Sequence, residues 1–187
     1  MTRIEPIPDK AQLPSEQEHE WDAIFAERGR VRGPFAVMLH SPGLASGFLA
    51  NLKGTHDGSV VSPALHELAI LAVAYEDDAP YQWSVHVAGA RAAGLSDAAI
   101  EVARAGADSS HLDDDERGVI ELCRQLCRTN RVDQATFDAL MARHGQRWLV
   151  LVIATIGLYR SVAAFNNAFE IDPVAGDDQL PARGSPL

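Results

Sequence analysis

Cysteine is nearly absent from this sequence, with two residues in a chain of 187. That excludes a disulfide-held scaffold, which needs several paired cysteines to replace a hydrophobic core. Basic charge is also short. Lys and Arg total 16 against 26 Asp and Glu, a formal net charge of −10. Nucleic acid or an anionic membrane as main partner would require a basic patch, so neither is expected. A small anionic substrate needs only one or two local cations and stays compatible. Long apolar runs are scarce. The main one, 148–159, has 12 residues, against the roughly 20 needed to span a bilayer. Arg160, Ser161, Asn166 and Asn167 follow it, so a buried core helix is expected there. The first ten residues have no apolar centre and no small-residue cleavage site, and no secretory leader is expected. A cytoplasmic location follows from these readings.

A composition of 47% hydrophobic and 22% charged residues belongs to a globular chain, and the length fits one domain. The expected organisation is an extended arm over 1–14, one helical domain over 15–172 and a tail over 173–187, the arm and tail being rich in proline. No segment alternates with period two over a useful length, and Gly and Pro punctuate helical patterns instead. The fold class is therefore all-α, a bundle of about seven or eight helices.

Start and stop signals place them. Ser15 with Glu18 resembles a capping box opening a helix over 16–27, with Trp21, Ile24 and Phe25 on one side. The GRVRGP stretch at 29–34 breaks it. A short element follows over 35–40. Ser41-Pro42 and Ser62-Pro63 each put proline at a first helical position, predicting helices over 42–53 and 63–75. Further helices are predicted over 81–93, ended by Gly94, over 97–104 capped by Ser96, over 113–129, and over 133–144 stopped by Gly145. The apolar helix over 146–169 comes last.

The segment 63–95 carries the most chemistry. It reads as two helices joined by a tight acidic turn, with Glu67 in the first and His86 in the second. An antiparallel hairpin can bring the two together, and a carboxylate beside an imidazole is a usable acid–base pair. The same pair can equally serve only to lock two helices.

The residues around that pair resemble a known family. Glu67, then Ala79-Pro80-Tyr81-Gln82-Trp83, His86, Ala90 and Ala93-Gly94-Leu95-Ser96 are similar to the carboxymuconolactone decarboxylase family, which shares an all-α fold with the alkylhydroperoxidase-D-like proteins. Gly33-Pro34-Phe35 and His40-Ser41-Pro42 look like the upstream signature of its longer members. Gly157-Leu158-Tyr159 and Asn167-Ala168-Phe169-Glu170 look like their last helix. The resemblance implies a cofactor-free decarboxylase or related lyase or isomerase acting on a small acidic or lactone substrate. His86 would be the proton donor and Glu67 its partner, with Tyr81, Gln82 and Trp83 at the substrate. It also implies a homo-oligomer, a trimer or hexamer. A repurposed member that binds a small ligand without turnover is the alternative.

The departures from the family pattern matter. The peroxidase branch has a CxxC before its histidine, and those positions fall on Ala79 and Gln82. Without thiols there, a thiol peroxidase is disfavoured, because the thiolate is the nucleophile. Cys123 and Cys127 lie elsewhere, four apart on one helix face, and read as core. They have no nearby His or Cys to complete a metal site, and neither metal nor cofactor is expected. In the decarboxylase branch the residue before the tryptophan is usually glutamate, where this chain has Gln82, and the residue before Glu67 is commonly basic, where it has His66. Three further polar residues have two readings each. His40 either caps the next helix or lines the pocket. Arg160 pairs with an acidic residue of another subunit or with a substrate carboxylate. Asn167 makes a structural hydrogen bond or contacts substrate.

Overall fold

Ser62 and Pro63 open a helix as their chemistry predicts. The Ser62 hydroxyl accepts from the Leu65 amide, and the proline occupies the first turn, where its missing N–H costs nothing. In the computed structural model, which describes residues 2–41, 43–176 and 178–181, this helix is the axis of the molecule. Eight α-helices occur among the described residues: α1 Glu18–Arg28, α2 Pro34–Met38, α3 Leu44–Thr55, α4 Pro63–Glu76, α5 Pro80–Ala92, α6 Asp97–Ala105, α7 Asp114–Thr129 and α8 Gln134–Ala168. No strand is present among them, so the all-α reading holds.

α4 packs against α5, α6, α7 and α8. A single stripe of Leu and Ala is the sequence expectation for it. Instead Leu68 through Ala74 are all buried, because neighbours surround the helix on every side. Each large side chain in that run withdraws about 1.5–3 kcal/mol of apolar surface from water.

α8 contains the break that Gly145 predicts. Its φ of 81° and ψ of 176° interrupt the helix, a left-handed backbone that glycine adopts without steric cost. Beyond it, Trp148, Leu149, Val152, Ile156 and Tyr159 are buried against the bundle. By length and composition α8 could cross a membrane, but these contacts make it a core helix.

Several local expectations differ. The capping box forms earlier, at Asp9 and Gln12 around a 3₁₀ turn over Lys10–Gln12, while Ser15 opens a second such turn without a side-chain cap. Phe25 is 46% exposed and stacks on Trp21 rather than entering the core. Pro42 lies outside the described residues. α3 starts at Leu44, where the buried Glu20 carboxylate accepts from the Gly43 amide at 2.7 Å and the Ser46 hydroxyl at 3.2 Å. A carboxylate from α1 thus supplies the anionic cap that a local side chain usually provides.

Both ends of the chain are tied to the bundle. The Ile7 amide donates to the Ala36 carbonyl and Arg3 to that of Phe169, both at 2.9 Å. At the other end Val174 donates to the Ser84 hydroxyl, and Asp178 accepts from Trp83, Arg104 and Arg91. Burial opposes the charged form of Asp178, but those three donors prevail and hold its carboxyl below the ordinary range.

Candidate active site

α4 and α5 run antiparallel because the turn between them is tight. Asp78 takes a positive φ of 50°, and the Ala79 amide closes back onto the Ala74 carbonyl. This geometry puts Glu67, in the second turn of α4, beside His86, in the middle of α5. His86 Nδ1 lies 2.9 Å from Glu67 Oε2. Both side chains are largely, not wholly, buried. With Nδ1 held by the carboxylate, Nε2 is the nitrogen left for chemistry. The imidazole stands edge-on to the Tyr159 ring of α8, centroids 5.2 Å apart.

His86 lines a cavity of about 50 Å³, walled by α2, α3, α5, α8 and the α1–α2 loop. That is room for a few waters, or for the inner part of a ligand that also occupies the mouth. Tyr81 and Gln82 line it too. Gln82 is 1% exposed; its amide donates to the Ile70 carbonyl at 3.0 Å, while its Oε1 has no partner. Asn166, 2% exposed on the same wall, has no partner for either amide atom. Buried polar groups without partners cost about 1–3 kcal/mol each, and such groups converge here.

Tyr81 is placed by a glycine. A Cβ on Gly33, at φ 60°, would fall 1.9 Å from the Tyr81 hydroxyl. Burial pushes the Tyr81 phenol upward, partly offset by nearby Arg32, Arg28 and Arg30. Burial, followed by the Glu67 charge, raises that of Tyr159 still further. Both hydroxyls therefore remain protonated donors at neutral pH.

Four residues that the sequence assigns to the substrate lie elsewhere. Trp83 is fully buried on another face of α5, its indole N–H donating to Asp178 and its ring covered by Arg104. His40 is exposed, and its Nε2 donates to the Glu5 carbonyl, pinning the N-terminal arm. Arg160 bonds Asp77, the Leu126 and Cys127 carbonyls and Asn130 of its own chain. It closes the C-terminal end of α7, so no second subunit is needed to neutralise it. Asn167 donates to the Asp77 carbonyl at the end of α4.

His66, the residue before Glu67, is buried. It is 6% exposed, in ring contact with His56. Burial, and then the neighbouring His56, lower its pKa to about 4, so at neutral pH it carries no charge for a carboxylate. It lines a separate cavity of about 110 Å³ that Glu67 also borders. The thiols are core groups. Burial holds Cys123 well above its ordinary pKa and pushes Cys127 up to about 12. Neither is a thiolate at neutral pH.

Sequence reasoning missed Tyr159, Asn166 as a cavity residue, and the arginines Arg28, Arg30 and Arg32 at the cavity mouth. The signal for the arginines was present as alternate positions of the ERGRVRG stretch, but a helix-breaking loop gives no indication of which cavity it borders. Among the described residues there is no cluster of metal-ligating side chains.

Two solved structures share this architecture over nearly the whole chain. The alkylhydroperoxidase AhpD core from Ralstonia eutropha JMP134, an uncharacterized peroxidase-related protein, has a TM-score of 0.75 at 18% identity, with 92% of each chain covered. An uncharacterized peroxidase-related protein from Silicibacter sp. TM1040 has a TM-score of 0.75 at 18% identity, covering 93% of this chain and 92% of that one. At such identity the likeness establishes the fold alone. No curated protein matches the chain. Residues 42–125 match the family model described as Carboxymuconolactone decarboxylase family. Glu67 and His86 thus lie inside the stretch that matches this family model, in a chain whose fold is the one those two solved structures share.

Proposed function

We propose that this chain is a cofactor-free acid–base enzyme of the decarboxylase type, acting on a small lactone or β-keto acid. The observation that carries the reading is the 2.9 Å contact between His86 Nδ1 and Glu67 Oε2 at the wall of a cavity, which leaves Nε2 for a substrate. In the reaction, the bond from the substrate carbon to its carboxylate breaks and CO2 leaves. The electron pair moves into an adjacent carbonyl as an enolate, and the carbon then takes a proton. The balance is one carboxylate and one proton consumed for each CO2 and protonated product. His86 Nε2 delivers the proton, and Glu67 fixes the ring and balances the charge of the imidazolium. Tyr159 and Tyr81, both protonated, are the available donors for the enolate oxygen. Gln82 cannot exchange a proton at neutral pH, so no proton step is assigned to it.

Purified protein given carboxymuconolactone and its analogues should consume the substrate chromophore, and His86→Ala should not. Equal turnover in that variant sinks the assignment. A repurposed, ligand-binding member predicts thermal stabilisation by the same compounds without turnover. Thiol-peroxidase chemistry, suggested by the neighbours' descriptions, is opposed by Ala79, Gln82 and the two neutral core thiols, and predicts peroxide consumption with a thiol reductant.

The same reading expects a cytoplasmic homo-oligomer, a trimer or hexamer. The exposed positions Val150, Ala154, Gly157, Ser161 and Ala164 form one face of α8 and support it. Light scattering that gives only the 20.2 kDa chain would contradict it.

A further inference from the structure

Arg28, Arg30 and Arg32 border the mouth of the His86 cavity, and all three are exposed. The chain has 26 carboxylate side chains for 16 lysines and arginines, and Arg91, Arg104, Arg117, Arg128, Arg143 and Arg147 each hold an acid within ion-pair distance. Among the described residues none of the three mouth arginines forms such a pair. The Arg28 guanidinium lies over the Phe35 ring, 5.2 Å from its centroid. Three like charges within five positions repel one another, and an acidic chain had partners available. Their company is a mouth for something that brings its own negative charge.

The cavity behind them has a different character. Phe35, Met38, Phe48, Val85 and Val162 make an apolar wall. At its polar points are the unpartnered Gln82 Oε1 and the Asn166 amide, both nearly fully buried. Arginine suits the first task because its planar fork takes a carboxylate in two parallel hydrogen bonds. The apolar wall suits a body without charge.

We infer that Arg28, Arg30 and Arg32 form an anion-recognition rim for a small organic carboxylate with an apolar or unsaturated body, carboxylate at the mouth and body in the cavity. The inference rests on the reading of this cavity as the reaction site, and adds the orientation and class of what enters it. The carboxylate held at the rim is remote from His86 chemistry, so a decarboxylated substrate carries a second one or is held by the rim only on entry. Long-range attraction by the rim also makes capture dependent on ionic strength.

The test is calorimetric titration of the full chain with benzoate and hexanoate, with benzamide and hexanamide as neutral isosteres, and with inorganic phosphate as an anion without a body. Each carboxylate should bind at least tenfold more tightly than its amide and than phosphate, and raising NaCl from about 50 to 500 mM should weaken the carboxylates alone. The variant Arg28→Gln/Arg30→Gln/Arg32→Gln should lose at least tenfold for the carboxylates and keep the amide affinity. Turnover of carboxymuconolactone is read beside binding: carboxylate preference without turnover fails the catalytic reading alone, and turnover without carboxylate preference fails the rim alone. Equal binding of acid and amide, phosphate binding as tightly as benzoate, unchanged benzoate affinity in the triple variant, or no binding of either carboxylate overturns the inference. So does a triple variant that changes only the oligomeric state, because the arginines would then face another copy of the chain.

Discussion

The turn of the α4–α5 hairpin and the cavity beside His86 use polar residues in opposite ways. At the turn end the polar groups are answered. Asp77 accepts from Arg160 and, through its carbonyl, from Asn167; Arg160 also takes Asn130 and two α7 carbonyls; Glu76 holds Arg128. In the cavity Gln82 Oε1 and both Asn166 amide atoms are buried without partners, and three arginines stand at the mouth without an acid partner among the described residues. A fold gains from the first arrangement and loses from the second. Polar groups that the chain leaves unanswered are where a ligand supplies what the fold does not.

The largest effect to expect is on chemistry. Replacing His86 with Ala should lower turnover by roughly 10²- to 10⁴-fold, the usual worth of a positioned acid–base group, while circular dichroism and melting stay near wild type. Glu67→Gln should cost less, because an amide oxygen can still accept from Nδ1. A drop in melting temperature that fully accounts for the lost turnover would return the pair to a purely structural role.

Next is a pH effect from His66, which lines the second cavity beside Glu67. Its folded pKa of about 4 lies below the ordinary 6.5 because burial disfavours the cation. The unfolded chain therefore binds this proton more readily, and stability rises with pH across the interval. The contribution is complete above about pH 6.5 and lost progressively toward pH 4, up to roughly 3 kcal/mol at 1.36 kcal/mol per unit. Urea unfolding between pH 7.5 and 4.5 should show this slope, and His66→Gln should flatten it. An identical slope in that variant would place the titration elsewhere.

At the turn end, Arg160→Ala should destabilise by about 2 kcal/mol, since it strips several acceptors together, and leave the benzoate affinity of the cavity unchanged. Chemical denaturation beside the same titration reads both quantities. Loss of binding with intact stability would reverse the contrast between the turn and the cavity.

Much of this was legible in the sequence, for local reasons. Ser62-Pro63, Ser96, Asp113, Gly94 and Gly145 act through their own backbone geometry, so their helix boundaries could be read without tertiary knowledge. Glu67 and His86 were legible because a short turn between two helices leaves few ways to place them. Trp83 and Arg160 were misplaced, and Asn167 was left between a structural bond and a substrate contact, for the opposite reason. Their partners, Asp178, Asn130 and Asp77, lie far away in the chain, and an aromatic or a cation beside a motif has no local mark of which side it turns. The burial of His66 was not legible because it follows from the packing of α4 on all sides, which its place beside Glu67 does not reveal.

Two neighbouring asparagines isolate the lesson at the smallest scale. Asn166 points its amide into the cavity wall unanswered, and Asn167, one residue on, caps α4 through the Asp77 carbonyl at 2.8 Å. Substituting leucine should act in opposite directions. Asn166→Leu removes two unsatisfied polar atoms and adds apolar volume beside an open cavity, so it should raise stability by about 1 kcal/mol, a melting shift of about 2–4 °C at this chain length. Asn167→Leu removes a satisfied hydrogen bond from an exposed site and should lower stability by about 0.5–1 kcal/mol. Benzoate affinity should fall in the first and not in the second. If Asn166→Leu instead destabilises while binding is kept, its amide is already satisfied within the fold, and the unanswered polar groups of the cavity no longer mark a ligand's place.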